Sequence, residues 1–282
     1  MELVTIAIPI YNGAPYLRDA IHSVLNQSYK EWRLLLIDDG STDDSLSIMR
    51  EFEALDARIR VISDGQNRGL VARLNESVAL TETKYYARMD ADDIMYITRI
   101  EEELYFLEAH PEVDVVGTSI MTIDNKNNIV GSDLHQGSVD RFIHPSIMGR
   151  SEWFKANPYS DWAVRAEDFE LWCRTSTRSR FWALDKPLLF YREFGMVPYK
   201  KTMLSLHTIL RIARRYRCYE RSWWWSAKLA TLTVAKMCAY SLFTLFGNDE
   251  FIVRHRQRKA IPQHRCLTMN DLLKSIADNV KR

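Results

Sequence analysis

Short β-branched, apolar runs alternate with segments of helical spacing along the first 90 residues. Val4-Thr5-Ile6-Ala7-Ile8 closes at Pro9, and Leu34-Leu35-Leu36-Ile37 closes at Asp38-Asp39-Gly40. Both are continuously apolar, as strands buried on two faces must be. Between them Leu17, Ala20, Ile21, Val24 and Leu25 recur at helical spacing behind Pro15, which suits a first helical turn. Ser41 or Thr42 is expected to cap a second helix that turns Leu46, Met49, Phe52 and Leu55 inward. A third strand, Ile59–Ile62, then precedes Asn67-Arg68-Gly69 and a helix running to about residue 81, and Tyr85–Met89 follows as a fourth strand. Such alternation specifies a doubly wound α/β domain. Its ligands belong at the carboxyl ends of the strands, so Pro9–Asn12, Asp38–Ser41, Asn67–Gly69 and Asp90–Asp92 should converge on one crevice.

The last of these segments carries the densest charge. Asp90-Ala91-Asp92-Asp93 sets three carboxylates at the end of a buried strand. Burying them unpaired would cost several kcal/mol each, whereas a hard divalent cation takes oxygen ligands and bridges carboxylate to diphosphate. An isolated Asp-x-Asp is more simply a solvated turn capping the next helix, but this one is not isolated. After residue 113 the pattern turns mixed, with strand-like Val113–Gly117, Ile129-Val130 and Leu188–Tyr191.

With 282 residues and 46% apolar composition, the chain can bury one large α/β core and carry an appendage. Cys173, Cys218, Cys238 and Cys266 show no paired spacing, so neither a zinc site nor a disulfide framework is expected and a reducing compartment fits. Met1-Glu2-Leu3-Val4 lacks a signal-peptide pattern, so a cytoplasmic location is expected. The net charge of +1 conceals a division. Residues 199–265 carry 14 Lys/Arg against Glu220, Asp249 and Glu250, while residues 1–198 carry 21 Lys/Arg against 32 Asp/Glu. The front half suits metal and small-molecule chemistry, the back half an anionic surface.

Taken together, these motifs resemble the family 2 glycosyltransferases, which have the GT-A fold and mostly invert anomeric configuration. The resemblance covers roughly residues 2–195. It rests on Ile8–Asn12, Leu36–Asp43, Asn67-Arg68-Gly69 with Arg73 and Asn75, Met89–Asp93, and Ala166-Glu167-Asp168-Phe169-Glu170-Leu171-Trp172, in that order. It implies a GT-A nucleotide-diphospho-sugar transferase, with a mixed sheet and a helical C-terminal extension. Donor-binding residues would be Pro9, Tyr11, Asn12, Asp39, Arg68, Arg73, Asp90 and Ala91. Within that set Tyr11 would stack on a pyrimidine, Asp39 would accept the imide N–H of uracil, and Arg68 and Arg73 would pair with the diphosphate. Asp92, helped by Asp90, would hold Mn²⁺ or Mg²⁺. Asp168 would be the general base that takes the acceptor hydroxyl's proton, and His144, Glu167 and Arg192 would lie on the acceptor side. Core packing of Tyr11, helix capping by Asp39 and surface exposure of Arg73 are the bland alternatives.

Two domains are therefore expected, catalytic at 1–198 and a basic, aromatic helical extension at 199–282. In the extension, Trp223-Trp224-Trp225 opens an apolar stretch interrupted by Lys228 and Lys236, a poor candidate to span a bilayer. Arg211, Arg214, Arg215, Arg217 and Arg221 precede it and Arg254, Arg256, Arg258 and Lys259 follow. That arrangement predicts an amphipathic element docked on anionic lipid at the cytoplasmic face of the inner membrane. Packing on the domain and homodimerisation are its competitors. A membrane dock would bring the enzyme to a lipid-diphosphate-linked saccharide acceptor in O-antigen or capsule-type synthesis, one sugar at a time, since no Gln-x-x-Arg-Trp motif is present. Two rival functions remain open. A sugar-1-phosphate nucleotidyltransferase would need a glycine- and arginine-rich loop where Tyr11–Pro15 stands, and a non-catalytic nucleotide-sugar or lipid-binding module would not need both Asp92 and Asp168. No recognition motif for nucleic acid accompanies the basic charge.

Overall fold

The predicted strands of the first 90 residues pair in parallel, as their two-sided apolarity requires. In the computed structural model, which describes residues 4–134, 137–138, 142–193, 199–216 and 222–245, they are β1 (Val4–Ile10), β2 (Trp32–Asp38), β3 (Ile59–Ile62) and β4 (Tyr85–Arg88). Helices α1 (Ala14–Leu25), α2 (Ser45–Leu55) and α3 (Leu70–Ala79) connect them. The later elements are β5 (Ile94–Met95), α4 (Arg99–Ala109), β6 (Val115–Ile123), β7 (Ile129–Asp133), β8 (Gly137–Ser138), a 3-10 turn at His144–Ser146, β9 (Met148–Arg150), α5 (Ser151–Ala156), α6 (Glu167–Thr175) and β10 (Phe181–Arg192). The sheet runs β3-β2-β1-β4-β9-β6-β10-β5, with β7 on β6 and β8 on β10. β9 is antiparallel to both β4 and β6, so the sheet is mixed as the resemblance implied.

Both faces of the sheet are covered, which explains the unbroken apolar runs. Ile6, Ile8 and Ile10 join α1 and α2 in one core, while Ala7, Leu35 and Ile37 join α3, α5 and α6 in another. Pro9 sits inside β1, not at its end. The β1–β4 register stops at Ala7↔Arg88, and Ala7 and Ile10 direct their carbonyls to Met89 N and Asp39 N respectively. Because orientation alternates along a strand, the N–H that proline lacks would point to the β4 side, beyond the last pair. The missing donor costs no ladder bond.

Two expectations about α2 are corrected. The helix starts at Ser45, with Asp44 in the cap position, and neither Ser41 nor Thr42 caps it. Ser41 Oγ instead accepts Asn12 N–H at 3.1 Å, and Thr42 N–H donates to Asn12 Oδ1 at 2.8 Å. Leu55 is 75% exposed, and Ile48 takes the inward place beside Met49 and Phe52.

The expected domain boundary at 198 lies outside the described residues. Beyond it, α7 (Tyr199–Arg215) and α8 (Trp223–Leu245) pack on each other. The amphipathic helix is α7, and its buried face, with Leu206, Ile212 and Ala213, is spent on the domain, where Ile212 meets Ala166 and Cys173 of the α6 region. In α8 the exposed apolar side chains, Trp223, Trp224, Leu232, Val234 and Leu242, do not share one stripe. The expectation of an amphipathic tail thus holds for the wrong helix. Among the described residues no helix is long and apolar enough to cross a membrane. Of the residues named in the sequence, Arg217, Arg221, Arg254, Arg256, Arg258, Lys259, Cys218 and Cys266 lie outside the described residues.

Candidate active site

The four strand-end segments meet. Asn12, in a left-handed conformation at φ 53°, ties the β1–α1 loop to Ser41 and Thr42, and Gly13 and Ala14 donate to Ser45 Oγ and Asp43 Oδ2 at 2.9 and 3.1 Å. A Cβ on Gly13 would come within 3.2 Å of the Ala91 Cβ, which brings the carboxylate loop against the first loop. Gly40, at φ +71°, approaches the β3–α3 loop so closely that a Cβ would stand 2.7 Å from the Gln66 carbonyl carbon. Gly40→Ala should therefore cost about 1–2 kcal/mol for the left-handed backbone alone, with further loss from the clash. Thermal unfolding with and without UDP checks this, and an unchanged Tm and UDP affinity would refute it.

Asp39 anchors this junction. Its Oδ1 accepts Arg68 N–H at 2.7 Å and Arg73 Nε–H at 3.0 Å, and its Oδ2 accepts Gly69 N–H at 3.0 Å. Oδ2 keeps acceptor capacity. Arg73 departs from expectation. It is 0% exposed and its guanidinium is consumed by Asp39, Asp64, Glu76 and the Gln66 carbonyl, so it braces the junction from inside and no donor is left for a diphosphate. The strong pairing with Arg73 drives Asp64 far below the ordinary carboxylate range. Arg68, half exposed and only loosely engaged with Asp64 at 3.5 Å, is the one of this pair that faces the crevice.

That crevice has a volume of about 1020 Å³ and is walled by Arg68–Ala72, Arg88, Asp90, Phe142–Pro145, Asp161, Val164, Arg165, Glu167, Asp168 and Tyr191. Tyr11 is 54% exposed, with a free ring face, and is not part of its wall. Asp90, Asp92 and Asp93 bring ligand oxygens within 4.8 Å of one another. Burial, then the neighbouring Asp90 charge, pushes Asp92 up to about 6 and Asp93 well above the usual carboxylate value. Asp93 is fully buried, its Oδ1 accepting Arg192 N–H at 2.9 Å while its Oδ2 has no hydrogen-bond partner among the described residues. Crowded, partly orphaned carboxylates of this kind fit a divalent cation, for which Asp92 and Asp90 are the accessible ligands.

Arg192 is corrected as well. Its guanidinium is buried and donates to the carbonyls of Asp92 and Asp124 and to Asn127 Oδ1 at 2.8, 2.6 and 2.7 Å, and it lies over the Tyr16 ring. It braces the carboxylate loop from behind and does not face an acceptor.

Glu167 and Asp168 begin α6, where the helix dipole favours anions. Burial raises both carboxyls, Glu167 to about 7 with the Asp168 charge adding to it. Asp168 Oδ1 accepts Phe169 N–H at 2.7 Å. His144 lines the same crevice, but burial holds it well below its usual value and therefore neutral, with Nε2 on Tyr159 OH at 2.9 Å. Asn75 in turn clasps the Tyr159 backbone through Oδ1 and Nδ2, both at 2.9 Å.

Sequence reasoning missed Arg88. It ends β4, is 2% exposed, ion-pairs with Asp90, and its Nε and Nη1 find no hydrogen-bond partner among the described residues. Its charge opposes the burial-driven rise of both Glu167 and Asp168. The available signal was a lone cation inside an apolar strand, since buried charges are retained only beside partners.

The chain is similar to known proteins in sequence and in fold. The family model described as Glycosyl transferase family 2 matches residues 5–170. An uncharacterised glycosyltransferase of Haemophilus influenzae is 30% identical over 213 residues, covering 68% of this chain and 66% of its own length. The candidate glycosyltransferase EpsE of Bacillus subtilis is 35% identical over 61% of this chain and 66% of its own length. A candidate teichuronic acid biosynthesis glycosyltransferase of B. subtilis, TuaG, is 33% identical over 50% of this chain and 52% of its own. The matched part thus spans about two thirds or less of these curated relatives. In fold, the chain resembles S. aureus TarS 1–349 solved with UDP-GlcNAc, at TM-score 0.65 and 16% identity, covering 83% of this chain and 72% of that one. It also resembles the mannosyltransferase PcManGT of Pyrobaculum calidifontis solved with GDP-Man and Mn²⁺, at TM-score 0.60 and 14% identity, covering 98% and 86%.

Proposed function

The chain belongs to glycosyl transferase family 2, and from that membership we propose that it moves one sugar from a nucleotide sugar, a UDP-sugar first, to a saccharide acceptor with inversion. The observation that carries the reading is one crevice lined both by Asp90, a member of the carboxylate cluster that follows β4, and by the Glu167-Asp168 pair of α6. The reaction class follows from this chemistry. The donor's leaving group is a diphosphate, and the nucleophile is a neutral hydroxyl that must lose a proton.

Tyr11 offers its exposed ring to the base, and Asp39 Oδ2 has room for the imide N–H that uracil has and unprotonated cytosine lacks. Arg68 approaches the diphosphate from the crevice wall. A divalent ion on Asp92 and Asp90 would stabilise the departing nucleoside diphosphate as a Lewis acid. Asp168 holds one oxygen on Phe169 N–H, which orients the carboxylate, and its other oxygen accepts the acceptor's proton as the new glycosidic bond forms opposite the leaving group. His144, being neutral, and Glu167 would hydrogen-bond the acceptor.

The TuaG likeness supports a surface polysaccharide as the destination, with a lipid-diphosphate-linked acceptor at a membrane. A screen of UDP-, dTDP- and GDP-sugars against a short-chain lipid-diphosphate sugar, read by mass spectrometry, tests the whole reading. Product with retained anomeric configuration, or no turnover of any donor even by hydrolysis, would overturn it and favour the binding-module alternative.

Membrane docking is assigned to α8, whose exposed Trp224 is 74% accessible beside Trp223. Each Lys or Arg near an anionic leaflet contributes about 1 kcal/mol that salt screens, while tryptophan burial is largely salt-independent. Co-sedimentation with vesicles should rise with anionic lipid, fall with ionic strength, and weaken when Trp223 and Trp224 become Ala. Equal binding to neutral and anionic vesicles would reassign α8 to self-association.

A further inference from the structure

One arginine on the crevice wall is held in a conformation its side chain disfavours. Arg165 has φ 63°, the left-handed region where a Cβ is costly and which arginine seldom enters. The chain invests several contacts in keeping it there. Ser205 Oγ–H of α7 donates to the Arg165 carbonyl at 3.0 Å, and Thr208 Oγ1–H donates to the Val164 carbonyl at 2.9 Å. Three residues before Arg165, the Trp162 ring has the guanidinium groups of Arg211 and Arg215 over it, 5.0 and 5.2 Å from its centroid, and Arg211 Nη1 reaches the Trp162 carbonyl at 3.4 Å. Helix α7 is therefore the mount of the segment 161–166.

The segment leads straight into Glu167-Asp168, and Asp161, Val164 and Arg165 share the crevice wall with that pair. Arg165 is exposed, and its guanidinium has no ion-pair or hydrogen-bond partner among the described residues. By contrast, Arg73 is consumed by carboxylates and Arg192 by backbone and side-chain oxygens. The donor diphosphate already has its cations, Arg68 and the ion that the Asp90–Asp93 loop fits. A base takes its proton from the acceptor, so the wall that carries the base is the acceptor's wall. An unpaired guanidinium three residues before the base meets the acceptor and not the nucleotide.

We propose that segment 161–166, mounted on α7, is the acceptor-recognition loop, and that Arg165 determines specificity by pairing with an anionic group, phosphoryl or carboxylate, on the acceptor. Ser205 and Thr208 are positioning residues that act through it. This rests on the glycosyltransferase reading above, and it gives local strain a use, since backbone held against its preference clusters at functional sites.

The decisive substitution is Arg165→Gly, which relieves the left-handed backbone while removing the charge. In the 282-residue chain saturated with UDP and Mn²⁺, isothermal titration with octyl phosphate, inorganic phosphate and octyl glucoside reads the acceptor side alone. Wild type should bind the phosphates in preference to the glucoside. Arg165→Gly should weaken that binding by roughly 10–100-fold, the worth of a charge-assisted hydrogen bond, with unchanged UDP affinity and a Tm that does not fall. Arg165→Lys should restore part of it. Ser205→Ala with Thr208→Val should also weaken phosphate binding without moving UDP affinity, a split that general loosening would not produce. Tighter binding of octyl phosphate than of inorganic phosphate identifies a lipid-linked source, and equal binding identifies a bare anionic group. Equal phosphate affinity in wild type and Arg165→Gly, or no preference over octyl glucoside, would overturn the proposal. Failure of wild type to bind UDP would instead count against the donor reading, and the same titration without nucleotide would still decide the role of Arg165.

Discussion

Asp168→Asn should leave donor affinity intact and slow transfer by roughly 10²–10⁴-fold, the usual contribution of a positioned base. The substitution preserves shape and the hydrogen bond from Phe169 N–H, so the loss isolates proton removal. Burial raises the Asp168 carboxyl, the Phe169 N–H and Arg88 oppose that rise, and Glu167 beside it titrates at about 7. A base works only when ionised. The rate should therefore fall as pH drops through a limb lying above the ordinary carboxylate range, and rise to a plateau on the alkaline side. Asp168→Asn should lose that limb along with the rate. Stopped assays of transfer or donor hydrolysis over pH 4–9, about the span carboxylate titration requires, provide the check; a variant that retains wild-type turnover would remove Asp168 from the reaction.

Asp92→Ala should abolish the metal-dependent part of UDP affinity and turnover together. Lewis-acid stabilisation of a leaving diphosphate supplies several kcal/mol, equivalent to roughly 10³-fold or more in rate. In the metal-free protein the substitution should not lower the Tm, because it removes one of three crowded carboxylates within 4.8 Å. The proton competes with the ion for the same oxygens. With Asp92 held at about 6 by burial and the Asp90 charge, apparent Mn²⁺ affinity should fall as pH drops below about 6 and be complete above it. Calorimetry of UDP binding with Mn²⁺ and with chelator, for both proteins, measures these effects. Wild-type activity undiminished in excess chelator would sink the metal role.

Much of the scaffold was legible because burial and direction are written locally. A strand covered on both faces must be apolar throughout, and β1 and β2 are. The carboxyl end of a parallel strand is where ligands bind, which located Asn12, Asp39, Arg68 and Asp90 before any coordinates. The later elements were less legible for a related reason. β9 is three residues long and β5 two, too short for a period, and both exist only because β4, β6 and β10 supply partners.

What the sequence could not settle was the assignment of cations to anions. Arg68 and Arg73 read alike along the chain, yet one faces the crevice and the other closes on Asp39, 34 residues away. Arg192 was placed at the acceptor by its neighbourhood in sequence, and folding sends its backbone N–H to Asp93, 99 residues away. Arg88 passed unremarked inside the predicted strand Tyr85–Met89, and in the fold it is the charge beside Asp90. The basic helix α7 read as part of a helical extension, and its hydroxyls hold the loop before Glu167-Asp168. Apolar patterning is a property of each segment and survives without the rest of the protein. A buried guanidinium is stable only beside the carboxylates that the completed fold delivers to it, so the sequence determined where the site lies, and the tertiary structure alone decided which charges work in it and which hold it together.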